Sequence, residues 1–160
     1  MHVHAHVRTQ SIFLNSGCHT FFFFSTKILR AKGLKVTPQR IAIYTMLSHT
    51  KEHPNAEMIY QALEPTNPTL SLATVYKTLC LFKSSGLVQE LSVGEPSARY
   101  DAITTRHSHV VCTCCGKVKD LSPDPFGELR QQATPFTDFT LESEQLIFYG
   151  KCPECEKTKP

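Results

Sequence analysis

The sequence predicts an α+β protein: an N-terminal winged helix-turn-helix followed by a small α+β domain built around a four-cysteine zinc site. Three observations carry this. Apolar residues recur at helical spacing from Lys27 to Phe82, between recognisable caps and stops. Two short strand-like segments follow, joined by the turn Gly94-Glu95-Pro96-Ser97. Behind them stand two Cys-x-x-Cys pairs, Cys112/Cys115 and Cys152/Cys155. The predicted division is residues 27–103 for the winged helix and 104–160 for the rear domain, behind an unpatterned extension, residues 1–26.

Each element has a local cause. Lys27 to Lys32 reads as a short basic helix stopped by Gly33. Thr37 caps the next helix, Pro38 suits its first position, and Ile41, Tyr44, Leu47 and Ser48 form its inward face. Asn55 caps a helix whose inward set is Ala56, Ile59, Tyr60 and Leu63; Pro65 and Pro68 end it. Ser71 caps a third, with Leu72, Val75, Leu79 and Phe82 inward, Cys80 as a small filler, and Gly86 as the left-handed stop. Leu87 to Val93 and Arg99 to Ile103 make the wing. In the rear domain, His107 to Cys112 and Lys117 to Leu121 pair as a hairpin. Phe126 to Gln132 is a short helix, and Phe139 to Tyr149 supplies a last strand.

Residues 1–26 hold four of the eight histidines and five of the ten phenylalanines, with one basic and no acidic residue. The apolar run is broken from Asn15 to Thr20, which argues against a signal peptide, and Asn15 speaks against a lipoprotein site at Cys18. His2, His4 and His6 offer a metal-binding tract. The expectation is a disordered segment, or one upstream of the true start.

Composition limits the partners. With 160 residues, 41% hydrophobic and 19% charged, the chain can bury a core and is no disordered tail. No run approaches the roughly 18 apolar residues of a membrane span. Seven cysteines cannot all pair internally, and the paired spacing points to metal ligation in a reducing cytoplasm. The first 51 residues carry seven Lys or Arg and no acid; the remainder carry ten basic and fourteen acidic groups. A basic front suggests a polyanion and an acidic rear suggests a cation, against a plain solvated surface. Ser71 to Lys83 is the predicted recognition helix for double-stranded DNA, with Tyr76 and Lys77 in its first half. Lys35, Ser71, Thr74, Tyr76 and Lys77 are the candidate DNA contacts.

Four thiolates suit one closed tetrahedral zinc, and two matched pairs favour zinc over a thiol-disulfide couple. Cys114 competes with Cys115 for the second place; spacing favours Cys115. His107 and His109 share one strand face, and Cys112 has the opposite parity. The two histidines therefore face away from the cysteines. Asp120 lies on the pairing strand and Asp101 ends the wing. With His53 added, three nitrogens and two oxygens suit Fe(II) or Mn(II). A closed set of four cysteines leaves zinc no open position for catalysis. No nucleophile-base pair, phosphate loop or His-Glu-x-x-His is present either, so an enzyme is not expected.

Lys35-Val36-Thr37-Pro38-Gln39-Arg40, His53-Pro54, Ala73-Thr74-Val75-Tyr76, Ser85-Gly86-Leu87-Val88 and His107-x-His109-x-x-Cys112-x-x-Cys115-Gly116 together resemble the ferric-uptake-regulator family, from about Lys27 to Glu156. The resemblance implies a homodimeric repressor that binds operator DNA under divalent-metal control, the rear domain serving dimerisation. It is most similar to the peroxide-sensing branch. That implies one structural Zn(II) per chain on Cys112, Cys115, Cys152 and Cys155, and one regulatory Fe(II) or Mn(II) on His53, Asp101, His107, His109 and Asp120. It also implies His53 and His107 as the sites oxidised by peroxide. The iron-sensing branch has His-His-Asp-His where Arg106-His107-Ser108-His109 stands, Glu at Asp120 and His at Glu144. An iron-, manganese- or zinc-responsive repressor without peroxide sensing is the alternative, and Glu144 leaves a further metal site open.

Overall fold

A computed structural model describes residues 18–94, 97–122, 126 and 128–157, of which 18–20 are described by backbone alone. The histidine tract at His2, His4 and His6 and the wing-tip residues Glu95 and Pro96 lie outside the described residues. Helices α1 (Cys18–Ala31), α2 (Pro38–His49), α3 (Ala56–Leu63) and α4 (Leu72–Ser84) precede strands β1 (Gln89–Leu91) and β2 (Arg99–Asp101). Strands β3 (Ser108–Cys112) and β4 (Val118–Leu121), helix α5 (Leu129–Ala133), strand β5 (Ile147–Gly150) and helix α6 (Pro153–Lys157) follow. Among the described residues no helix is long and apolar enough to cross a membrane.

Each helix from α2 to α4 starts where a side chain replaces a missing backbone acceptor. Thr37 accepts the Arg40 N–H at 3.3 Å, Asn55 the Met58 N–H at 2.8 Å, and Ser71 the Thr74 N–H at 3.2 Å. Gly86 sits at φ 66°, where a side chain is strained, and ends α4. The front core joins Ile41, Tyr44 and Leu47 of α2, Ile59 of α3, and Val75, Leu79 and Phe82 of α4. Ile43 is buried in it too, whereas Ser48, expected inward, is exposed. Ser48 instead donates to the Thr45 carbonyl at 3.0 Å, a local bond that faces it outward. Cys80, expected as filler, is also exposed; the buried small position on α4 is Thr78.

The helix expected over Lys27 to Lys32 is longer, Cys18–Ala31. Its inward face includes Ser25 and Leu29, one turn apart and both buried. Ser25 Oγ lies 2.8 Å from Thr45 Oγ1 and ties α1 to α2. Phe21 packs edge-on against His49, while Phe22, Phe23 and Phe24 remain exposed. Four consecutive phenylalanines sample every face of a helix, so no apolar stripe marks them in sequence.

The wing strands β1 and β2 pair antiparallel, Gln89 opposite Asp101. The rear sheet has the order β4-β3-β5, with β3–β4 antiparallel and β3–β5 parallel. The last strand is shorter than the expected Phe139 to Tyr149. It pairs only where β3 offers partners, His109 opposite Ile147 through Cys112 opposite Gly150. A second core joins the halves: Leu91 and Val93 of the wing pack with Val111, Val118 and Ile147.

Candidate metal centres

Strand β3 serves two clusters because alternate residues face opposite ways. On one side, the sulfurs of Cys112, Cys115, Cys152 and Cys155 lie within 4.8 Å of one another. Gly116, at φ 70°, lets the chain turn after the first pair, and α6 carries Cys155. Cys115 Sγ and Cys152 Sγ are 3.8 Å apart. Sulfurs about 2.3 Å from one tetrahedral ion would stand about 3.8 Å apart, so the donor set fits zinc. Backbone N–H groups of Cys152, then Cys115 and Cys114, pull the Cys112 thiol down to about 6. The neighbouring sulfurs of Cys152, Cys115 and Cys114 push Cys155 up instead. Four thiols crowded together share their protons unevenly. Cys114 is exposed and stands outside the set of four.

On the other side, His53, Asp101, His107, His109 and Asp120 gather, their donor atoms also within 4.8 Å. His109 is directly opposite Asp120 in the β3–β4 register. His53 comes from the α2–α3 connection, held in left-handed backbone at φ 47°. The neighbouring Pro54 carbonyl accepts the Tyr100 N–H at 3.0 Å, which pins that loop to the wing. Asp120 Oδ1 lies 2.7 Å from His53 Nε2, 3.4 Å from His107 Nε2 and 3.6 Å from His109 Nε2. Asp101 Oδ2 lies 3.7, 3.0 and 3.6 Å from the same three nitrogens.

Apart from the shorter His53–Asp120 pair, those spacings suit donors roughly 2.1 Å from a common centre, which stand about 3 to 4 Å apart. The three Nε2 atoms and Asp120 Oδ1 are buried without a well-formed hydrogen bond. Buried polar atoms are normally satisfied, so four convergent exceptions fit a cation. His107 Nδ1 faces the Thr105 carbonyl at 2.8 Å, which assigns the proton there and leaves Nε2 as the donor. Burial pulls His53 down, but the carboxylates of Asp101 and Asp120 outweigh it and leave its pKa raised. Burial likewise works to raise Asp101, yet His109, His53, the Ile103 N–H and the Gln89 amide hold it well below the usual carboxylate range.

The remaining predicted residues lie on the outer side of the front half. Lys35, Ser71, Tyr76 and Lys77 are exposed and Thr74 is half-buried. Thr37, Gln39, Arg40, Thr74, Lys77 and Thr78 line a depression between α2 and α4. Tyr76 is 41% exposed and its hydroxyl donates to Glu57 of α3. Glu144 pairs with Arg106 and belongs to neither cluster. Sequence reasoning overlooked Glu57 and Gln89. Counting register across the wing turn would have placed Gln89 beside Asp101; nothing local marks Glu57.

A winged helix fastened through such a cluster to a cysteine-stapled rear domain defines a metal-responsive transcriptional repressor, not an enzyme. The chain belongs to the ferric uptake regulator family, whose profile matches residues 31–149. The peroxide-responsive repressor PerR of Staphylococcus aureus strain Mu50 is 41% identical over 128 residues, 80% of this chain and 86% of the relative. Its counterpart in Staphylococcus epidermidis strain ATCC 12228 is 42% identical over 129 residues, 81% and 86% of the two chains. Among solved structures, the Vibrio cholerae ferric uptake regulator superposes with a TM-score of 0.65 at 33% identity, covering 79% of this chain and 98% of that one. The Helicobacter pylori regulator, at 22% identity, shares the fold with a TM-score of 0.69 over 91% and 97% of the chains.

Proposed function

We propose that this chain is a cytoplasmic, homodimeric repressor that binds operator DNA and releases it when hydrogen peroxide oxidises a histidine of its regulatory centre. The observation that carries the reading is the five-donor cluster, in which His53 and Asp101 come from the winged helix and His107, His109 and Asp120 from the rear domain. The names of the staphylococcal relatives support peroxide as the signal.

The four cysteines would hold one structural Zn(II), and the histidines and aspartates one Fe(II) or Mn(II). Bound Fe(II) would supply the one-electron reducing power that activates peroxide; Mn(II) would not. The residues do the rest. Ligands drawn from both halves fix the angle between the recognition helix α4 and the rear sheet. They favour that arrangement only by binding better in it than in an open one. Net oxidation places one oxygen from peroxide on an imidazole carbon of His53 or His107, its other oxygen leaving as water. A ring so modified is a poor donor, and the ion no longer favours the DNA-ready arrangement of the halves. In a dimer the arrangement sets the distance between two recognition helices. The edge strand β5 and the exposed Phe136 and Phe139 offer a surface for the second copy.

The test loads the zinc protein with Fe(II) or Mn(II) on operator DNA and adds peroxide. The Fe(II) form should leave DNA and gain one oxygen on the peptide holding His53 or His107; the Mn(II) form should do neither. Fe(II) protein that stays bound with unmodified histidines refutes peroxide sensing and leaves a plain iron, manganese or zinc sensor.

A further inference from the structure

Gln89 of β1 stands opposite Asp101 of β2. Its side-chain nitrogen donates to Asp101 Oδ2 at 2.9 Å and to the Ile103 carbonyl at 2.7 Å. One amide carries two protons, so a single group serves both acceptors. The Ile103 N–H donates to the other carboxylate oxygen, Oδ1, at 2.8 Å. Asp101 is therefore held at both oxygens from within its own half. Oδ2 is the oxygen that lies 3.0 Å from His107 Nε2 and 3.6 Å from His109 Nε2, both of the other half. Ile103 is the second residue of the segment that leads from β2 to β3, so the same amide grips a ligand and the early part of the connection between halves.

We infer that Gln89 is a positioning residue of the regulatory centre: it aims Asp101 Oδ2 at the histidines and anchors the connection, so the front half presents a preformed donor. This rests on the reading of the five-residue cluster as a metal site. A free carboxylate would spend binding energy on being ordered, and an oriented one does not.

The test uses the full-length, zinc-loaded protein. Gln89→Met keeps the length of the side chain and removes both donors. Its Mn(II) affinity should fall by about 10- to 100-fold. The visible absorption of the Co(II)-loaded form should shift, with zinc content close to wild type and the metal-free protein still folded at the assay temperature. In an Asp101→Ala background Gln89→Met should cost little more, because the group it orients is gone. Should Gln89→Met fold poorly, Gln89→Asn, too short to span both acceptors, should show the same loss. An unchanged Mn(II) affinity overturns the inference. So does a loss equally large without Asp101, which would make Gln89 merely structural. Wild-type protein that takes up neither Mn(II) nor Co(II) overturns the metal-centre reading as well; normal uptake by wild type and variant alike removes Gln89 alone.

Discussion

His53 is 2% exposed and sits at φ 47°, which for a residue other than glycine costs about 1–3 kcal/mol. The strain is held by the buried Pro54 beside it and by the bond from Tyr100, and it turns the ring toward Asp120. Single atoms matter at such a point. Asp120→Glu adds one methylene to a donor arm and moves its carboxylate. The variant should keep Mn(II)-dependent DNA binding and lose release by peroxide, measured by fluorescence anisotropy on operator DNA. In the sulfur cluster, replacing Cys112, Cys115, Cys152 or Cys155 with Ser should strip zinc and weaken the rear domain. Cys114→Ser should leave zinc content unchanged by elemental analysis. The opposite result for Cys114 and Cys115 would reassign the set.

Two helices decide what the front half can do. Helix α1 is fastened by Ser25 to Thr45 and by Leu29 to the core. A chain starting at Lys27 loses the first of these and the Phe21–His49 contact. It should melt below a chain starting at Cys18, by a margin equivalent to about 0.5–1.5 kcal/mol, since the Thr45 hydroxyl exchanges its partner for water. Equal melting of the two in calorimetry would make this turn of α1 dispensable. On α4, Glu57 braces Tyr76 from α3 while Lys77 stands exposed. Lys77→Ala should weaken DNA binding without altering metal content. A phosphate contact would lower the salt slope by about one, and a base contact would cost about 1–3 kcal/mol of discrimination at one position. Unchanged affinity and specificity would remove Lys77 from the interface.

For the whole molecule, the wing links the halves through the Leu91 and Val93 core, through Arg99, which donates to the Gly116 carbonyl at 3.5 Å, and through Gln145, which donates to the Glu90 carbonyl at 2.6 Å. Metal at the five-donor cluster therefore adds to an existing contact. It competes with protons for His53. Below the raised pKa of that ring, the site is occupied by a proton, so Mn(II) affinity should fall as pH drops through it. Stability of the metal-free protein runs the other way. The His53 contribution is complete below about 6.5, the ordinary histidine value, and is lost as pH rises through the raised one. The Asp101 contribution is complete above about 3.9 and is lost as pH falls through its depressed value. Melting of the metal-free protein should thus be highest between about pH 4 and 6.5 and decline above, while Mn(II) titrations tighten over that same rise. A metal-free melting temperature that climbs above this window would contradict the sign.

Local chemistry made much of this legible. Thr37, Asn55 and Ser71 cap their helices because a hydroxyl or amide one turn away is a local event, visible in sequence. The two-residue period of the segment from His107 to Cys112 separates His107 and His109 from Cys112 without any knowledge of the sheet. Contacts between distant segments have no such trace. Spacing alone could not bring His53 to Asp120, or choose Ile147 rather than Phe139 as the start of β5. Nor did the run Phe21 to Phe24 reveal that Ser25 behind it is buried. Those outcomes depend on which surfaces meet when α1 lies on α2 and the wing lies on the rear sheet. Periodicity reports which side of an element is apolar, and only packing decides what that side faces.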